Sequence, residues 1–499
     1  MASTGLSRVH ALDALRGVAA AGVVASHVAY GVGLSWEPGI GIWFIRLHVF
    51  VSIFFIHSGY VLFRPYVYAK ATGAPAPRLW AQYKKRFLRL VPAYWVVVIA
   101  VFLFVPRNPT SWQTWVQHFT FTQFYFDATL RPGIGQAWSL TAQVAFSVLL
   151  PFLAAASLWR RWRPKRTVFL CLLLVPVTIV WSILIGLGDL SVFMHVLWLP
   201  DGAAAFGIGM ALACVDVALR TNTAPKSWHV FDFVGRAQWA FLALALAFYA
   251  IAATPIAGAQ GDLPRGAEYP IRDMLFLGVA TCVVVPIAFG GNTRLNGFLS
   301  SMPLRWLGTV SYGLYLWHLF FLEMYAKYTG PLFGRSFLGV YAVGLAGSLV
   351  LASISWYGLE RPISQWGRAR SRTASPQGGQ PERREGAQAG DLRPELVGAV
   401  AGNAGWPSAR HEERRWQQPQ PAGPAAQPGP VIHWHSTIDA PAQQEHQRAH
   451  NGYQHTDPAP GGHQRQPGDD RQTFPPDAVP SRYTGRVAFP PEQRGEQNQ

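Results

Sequence analysis

The sequence predicts an all-α polytopic membrane protein with about ten transmembrane helices, followed by a disordered C-terminal tail. Composition, the lengths of the apolar runs and the positions of the basic residues each support this class. Half of the 499 residues are hydrophobic and 14% are charged, and the chain contains 20 Trp and 30 Phe. This apolar content exceeds what a water-soluble fold needs, so a membrane class is favoured.

Ten apolar runs approach the length that a helix needs to cross a bilayer, which is roughly 20 residues. The third run is the shortest, and we expect it to extend back into residues 87–90. Because the number of crossings is even, the two termini are expected on the same side of the membrane. The runs lie near residues 14–34, 42–63, 91–105, 140–159, 168–187, 202–219, 238–257, 274–291, 307–326 and 336–358.

Basic residues alternate between the predicted loops, as expected when cytoplasmic loops are enriched in Lys and Arg. The loops at 64–90 and 160–166 carry seven and five basic residues. The loops at 35–41 and 188–201, which would lie on the opposite side, carry none. This pattern predicts that both termini are cytoplasmic. No convincing cleavage site follows the first apolar run, so no removable signal peptide is expected.

Nearly all of the net charge of +16 comes from the apolar part of the chain, because residues 1–365 hold 27 Lys and Arg against 12 Asp and Glu. These charges lie in short runs between hydrophobic stretches and not in a soluble basic domain, so no nucleic-acid partner is expected. The three cysteines, Cys171, Cys214 and Cys282, lie far apart within apolar stretches. This spacing predicts neither a metal site nor a redox site.

The composition changes near residue 366. From there Pro, Gly, Gln and Arg dominate, as in SPQGGQPERREGAQAG, and aliphatic runs are nearly absent. Such a segment cannot bury enough apolar surface to offset the entropy lost on ordering. We therefore predict two parts, a transmembrane domain at residues 1–365 and a disordered cytoplasmic tail at residues 366–499. The histidines of the tail are expected to be solvated.

The first apolar run contains three polar residues, because LDALRGVAAAGVVASH (12–27) includes Asp13, Arg16 and His27. An Asp or Arg at the middle of a membrane costs about 2.5–3.5 kcal/mol, so such groups should face protein or water. In a helix all three fall on one stripe, with Arg16 and His27 about 16 Å apart along the axis. The simpler alternative is that Arg16 reaches the headgroups, Asp13 caps the helix and His27 bonds a backbone carbonyl.

Polar residues recur in other predicted spans, which indicates a cavity lined by several helices. Each also has a simpler explanation as a helix contact, an interfacial aromatic residue or a helix end. Arg86 and Arg89 are three residues apart on one helix face, and with Arg16 they could clamp a phosphate. They would equally serve as a positive-inside anchor. The other polar residues are His57, Ser58, Trp138, Ser139, Gln143, Ser311, Tyr312, His318 and Glu360.

A succession of motifs over residues 9–362 resembles the acyltransferase type 3 family of bacterial integral-membrane O-acyltransferases. The resemblance implies transfer of an acyl group, often acetyl, from acyl-coenzyme A to a hydroxyl of a carbohydrate or glycosylated natural product. It also implies a multi-pass protein of the bacterial inner membrane with no permanently bound cofactor. The motifs, in order, are LDALRGVAAAGVVASH, FFIHSGYVLFRP, RFLRLVPAYW, WSLTAQVAF, VSYGLYLWH and LERP.

The resemblance assigns roles to individual residues. It implies that His27 is catalytic and that Arg16, Arg86 and Arg89 bind the acyl-coenzyme A donor. Ser58, Tyr312 and His318 belong to matching motifs and are expected to assist catalysis. Two positions depart from the family. Gln143 stands where relatives usually have Glu, and His57 stands where they usually have an apolar residue.

These residues suggest a mechanism in which His27 acts as general base, because the ordinary pKa of histidine lies near neutral. Ser58, Gln143 and Tyr312 are candidates for orienting His27 or stabilising an oxyanion. Direct transfer in a ternary complex is favoured, with an acyl-histidine relay as the alternative. Gln143 cannot take a proton, which leaves open a slower or inactive site. Two other functions remain open, a secondary transporter of a sugar or lipid and a non-catalytic relative that binds a glycolipid.

Overall fold

The computed structural model describes residues 9–105, 111–126, 130–188, 197–260 and 264–373. All regular secondary structure in these ranges is helical. The helices are α1 (His10–Val32), α2 (Gly41–Ile45), α3 (Phe50–Thr72), α4 (Leu79–Phe104), α5 (Trp112–Phe119), α6 (Gln123–Phe126), α7 (Ala137–Ser157), α8 (Pro164–Leu172), α9 (Leu174–Leu187), α10 (Leu199–Arg220), α11 (Val230–Arg236), α12 (Gln238–Ala252), α13 (Glu268–Phe289), α14 (Arg294–Leu299), α15 (Met302–Thr329), α16 (Phe337–Ser355) and α17 (Arg361–Thr373).

The all-helical membrane class is confirmed. Within the described ranges, eight helices are long and apolar enough to cross a membrane, and α11 with α12 forms a ninth candidate bent by 79°. The predicted span at 307–326 lies within α15, which is not among the eight. The third predicted span extends further back than expected, because α4 begins at Leu79 and therefore includes the basic cluster.

The boundary of the predicted tail also differs. A π-helical turn at Trp356–Glu360 joins α16 to α17, and α17 continues to Thr373. The first residues assigned to the tail, 366–373, are therefore helical. The rest of the predicted tail, residues 374–499, lies outside the described residues.

Helix α1 lies inside the bundle, where it packs against α3, α15 and α16. Small residues permit its close contact with α15, because a Cβ atom on Gly17 would lie 2.7 Å from the backbone nitrogen of Gly308. A Cβ atom on Gly308 would in turn overlap the backbone carbonyl of Asp13. Without a hydrophobic effect between helices in lipid, such close backbone packing is a main source of helix association. The contact also brings the Arg16 side chain against the first turns of α15.

We expect Gly308→Ala to destabilise the protein by about 1–3 kcal/mol, because the added methyl group forces the α1 and α15 backbones apart. Thermal unfolding in detergent measures the effect. Gly297→Ala on α14 is the matched control, since a Cβ atom there would meet nothing within 4 Å. In that open helical position alanine is the better helix former, so unfolding should shift slightly upward. Equal shifts for the two variants would show that the α1–α15 contact is not tight.

Candidate active site

Six of the eight site residues predicted from sequence line one cavity of about 240 Å³. Helices α1, α3, α4, α7 and α15 each contribute to its wall. We call it the arginine cavity, because three of the six residues are arginines. The six residues are Arg16, Ser58, Arg86, Arg89, Gln143 and Tyr312.

Arg16 is held by the early part of α15. Its Nε donates to the Ser311 hydroxyl at 2.8 Å, and its Nη2 donates to the Gly308 carbonyl at 2.7 Å. Ser311 also donates its own hydroxyl hydrogen to the Gly308 carbonyl at 2.9 Å. The guanidinium therefore points into the bundle and is fixed by protein groups, which disagrees with the alternative that Arg16 extends to the headgroups.

Arg86 and Arg89 enter the cavity from α4. The Nε of Arg86 is buried and forms no hydrogen bond within the described part of the chain. An unsatisfied buried donor is costly, so this nitrogen is suited to a ligand oxygen. Tyr312 donates its hydroxyl hydrogen to the Leu90 carbonyl at 2.6 Å, which joins α15 to α4 beside Arg89.

Two acidic side chains lie near these cations. Glu360 is buried in the π-helical turn, where it accepts a hydrogen bond from Ser355 at 3.1 Å. Its carboxyl group lies close enough to Arg89 and Arg16 for charge interactions. Short π-helical segments often occur at functional sites. Glu360, known from sequence only as a polar residue at a helix end, is thus part of the surroundings of the arginine cavity.

The second acidic side chain is that of Asp13, which faces His57. The Nε2 of His57 lies 3.7 Å from Oδ1 of Asp13, and His57 lines the arginine cavity. Asp13 does not cap α1, because the N-cap residue is Val9. The histidine that departs from the family pattern is therefore placed in the same cavity as the three arginines.

His27 and His318 meet each other outside the lining of the arginine cavity. The Nε2 of His318 lies 3.3 Å from the Nδ1 of His27, and the ring centroids are 5.0 Å apart. Sequence reasoning had expected Arg16 and His27 to face one shared cavity, but His27 is not in the lining of the arginine cavity. His27 lies too far along α1 to reach the cavity that Arg16 lines, because three helical turns separate the two residues. The rings of Phe54 and Tyr315, packed edge to face at 5.5 Å, form part of the lining of the arginine cavity.

Backbone carbonyls determine which ring nitrogens carry hydrogen. Nδ1 of His318 lies 2.9 Å from the Tyr315 carbonyl, and Nδ1 of His27 lies 3.0 Å from the Val23 carbonyl. A carbonyl oxygen only accepts, so each neutral ring is protonated at Nδ1. The one hydrogen on Nδ1 of His27 is then shared between the Val23 carbonyl and Nε2 of His318, which lies 3.3 Å away. This arrangement leaves the lone pair on Nε2 of His27, the state that a general base requires.

Tyr315 was missed by sequence reasoning, although it stands in the VSYGLYLWH motif three residues before His318 and so shares its helix face. Its hydroxyl donates to the Gln136 carbonyl at 2.9 Å and accepts from Ser139 at 2.7 Å. Its ring lines the arginine cavity and lies 5.8 Å from that of His318. Tyr315 is therefore the link between the arginine cavity and the histidine pair.

Fold and site together define a helical membrane protein with a cationic cavity next to a histidine pair. Comparison with known families gives the same class. Residues 9–357 match the acyltransferase 3 family, whose description is an acyltransferase domain. The chain belongs to this family.

Two curated relatives illustrate the similarity. The chain is 28% identical over 397 residues to the peptidoglycan O-acetyltransferase OatA of Listeria monocytogenes, covering 72% of this chain and 56% of that protein. It is 25% identical over 390 residues to the O-acetyltransferase OatA of Staphylococcus aureus, covering 71% and 57%. The chain thus spans a little over half the length of these relatives. No solved structure matches it.

Proposed function

We propose that this protein is a membrane O-acetyltransferase that moves an acetyl group from acetyl-coenzyme A to a hydroxyl group of a cell-envelope carbohydrate. The observation that carries the proposal is the convergence of Arg16, Arg86 and Arg89 on one cavity whose lining residue Tyr315 packs against a histidine pair. The names of the relatives, which are O-acetyltransferases and in one case a peptidoglycan O-acetyltransferase, support the acetyl group and the carbohydrate acceptor.

We also propose ten crossings with both termini in the cytoplasm of a bacterial cell and the chain in its inner membrane. Residues 64–90 supply the arginines of α4 and are rich in Lys and Arg, which is typical of a cytoplasmic face. The arginine cavity then opens toward the compartment that contains the donor. This orientation is consistent with a large anionic donor that never has to enter the bilayer.

The donor is expected to bind through its phosphates. Guanidinium groups match phosphate oxygens with two parallel hydrogen bonds, which a generic positive anchor does not require. Arg86 offers a buried Nε for such a bond. Gln143, which is uncharged, leaves the cavity more cationic than the Glu usual in relatives, and this favours the anionic donor.

In the proposed reaction, the acceptor hydroxyl oxygen attacks the thioester carbonyl carbon while Nε2 of His27 takes the hydroxyl proton. The carbon–sulfur bond then breaks, and the thiolate receives that proton from His27 to leave as coenzyme A thiol. The Val23 carbonyl, together with Nε2 of His318, keeps His27 in the required tautomer. Ser58 and Gln143 are the better candidates for the oxyanion, because the Tyr312 hydroxyl hydrogen is already donated to Leu90.

The test is an assay of the purified protein in lipid nanodiscs with acetyl-coenzyme A and soluble peptidoglycan strands. We expect release of free thiol that depends on the strands, together with strands heavier by one acetyl group in mass spectrometry. Reactions without strands and with heat-denatured protein are the controls. Transport or binding of glycan without thiol release would contradict the enzymatic proposal and favour a transporter or a non-catalytic relative.

A further inference from the structure

A second cavity, of about 310 Å³, lies at the other end of the bundle. On α3, Ser52 lines this cavity and Pro65 lines the arginine cavity. Thirteen residues separate them, which is about 20 Å along a helix axis. In the proposed orientation α3 runs inward, so the second cavity lies in the outer half of the membrane.

Charged side chains from α10 and α13 converge in the second cavity. Asp201 and Asp273 lie within hydrogen-bonding range of each other, so the two carboxyl groups share a proton and one donates to the other. Tyr269 donates to Asp201 at 3.2 Å, and Ser182 donates to Asp273 at 2.6 Å. Four carboxylate oxygens are present, and these two hydroxyl groups occupy only part of their accepting capacity.

Arg272 completes the polar wall. Its Nη2 lies 3.5 Å from Asp273, and its guanidinium stacks over the Tyr269 ring at 4.4 Å. Its Nε is buried and has no hydrogen-bond partner among the described residues. The cavity therefore combines a donor in need of an acceptor with carboxylates that can accept more bonds, although all three charged groups are largely buried.

Only a thin wall separates the two cavities. On α3, Phe54 lines the arginine cavity and the next residue, Phe55, lines the second cavity. On α7, Ser139 lines the arginine cavity and the preceding residue, Trp138, lines the second cavity. His48, another lining residue of the second cavity, is close enough to His27 for their charges to interact. The histidine pair therefore has a lining residue of each cavity near it, Tyr315 of the arginine cavity and His48 of the second cavity.

We propose that the second cavity holds a sugar unit of the acetyl acceptor, with Asp201, Asp273 and Arg272 binding its hydroxyl and carbonyl groups. This inference rests on the proposed function and assigns the acceptor to a site separate from the donor. The acceptor hydroxyl then approaches His27 from the side opposite to the thioester.

The chemistry of the wall favours a neutral polyhydroxylated ligand. Sugar hydroxyls donate to carboxylates and accept from guanidinium groups. The rings of Phe55, Trp138 and Phe276 supply apolar faces, as is usual in ligand pockets of this size. A phosphorylated ligand would meet an acidic carboxyl pair here, whereas the arginine cavity is lined by three arginines and Lys85.

The test compares Asp201→Asn and Asp273→Asn with the wild type in nanodiscs, with soluble peptidoglycan strands as the probe. Each change keeps the size of the side chain but replaces one carboxyl oxygen of the pair with an NH2 group, which cannot accept a hydrogen bond. We expect the KM for the strands to rise about tenfold or more, because bonds to a charged group are worth about 1.5–3 kcal/mol. The KM for acetyl-coenzyme A should stay unchanged.

Two controls make the result interpretable. Asp232→Asn makes the same change at an exposed position outside both cavities, and it should leave both KM values at wild-type levels. The thermal shift produced by acetyl-coenzyme A reports whether each variant is folded with an intact donor site. If the wild type is active and both Asp201→Asn and Asp273→Asn have the wild-type KM for the strands, the proposed acceptor site is wrong. A wild type that releases no thiol would instead overturn the proposed function.

Discussion

Replacing His27 with alanine is expected to lower the rate of acetyl transfer by about 10²–10⁴-fold, the usual contribution of a general base. The loss should fall on kcat and leave the KM for acetyl-coenzyme A near its wild-type value, because His27 lies outside the lining of the arginine cavity. Strand-dependent thiol release measures both constants. Fluorescence-detected size-exclusion chromatography checks that the variant remains folded in detergent.

His57→Ala is the natural comparison. His57 lies beside Asp13 in the arginine cavity, whereas His27 lies beside His318. If His57→Ala lowers kcat by this factor and His27→Ala has the wild-type kcat, the general base has been assigned to the wrong histidine. The double variant of His27 and His318 adds a second criterion. The effects of substituting residues that act as a unit do not add. The double variant should therefore be no slower than His27→Ala alone.

Local patterns in the sequence predicted the helices and much of the site, because both depend on short-range periodicity. A period of 3.6 residues placed Asp13, Arg16 and His27 on one stripe of α1. The same reasoning placed Arg86 and Arg89 on one face of α4. The six predicted site residues in the lining of the arginine cavity come from motifs that the sequence already presented in order.

The division of the site into two cavities could not be predicted, because it depends on contacts between distant segments. The wall is formed by side chains such as Phe54 and Tyr315, which are separated by more than 200 residues and meet only in the folded bundle. Asp201 lies in the first turn of α10 and Asp273 lies on α13, and nothing in the sequence pairs them.

Replacing Arg86 with glutamine is expected to raise the KM for acetyl-coenzyme A by about 10- to 100-fold with little change in kcat. Glutamine removes the positive charge and the buried Nε donor, and a charge-assisted hydrogen bond contributes about 1.5–3 kcal/mol. The interaction is with the nucleotide end of the donor, so it is the same in the ground state and the transition state. Thiol release at varied donor concentration, with saturating strands, measures the change.

Lys84→Gln is the matched control, because it removes one positive charge from the same helix at a residue that does not line the arginine cavity. If the basic cluster of α4 serves only as a positive-inside anchor, the two variants should behave alike, with lower amounts of protein in the membrane and an unchanged KM. If the arginine cavity binds the donor, only Arg86→Gln should raise the KM. Arg86→Lys separates charge from geometry, since lysine keeps the charge but lacks the planar fork of donors. A KM for Arg86→Lys close to that of Arg86→Gln would show that the fork, and not the charge alone, holds the donor.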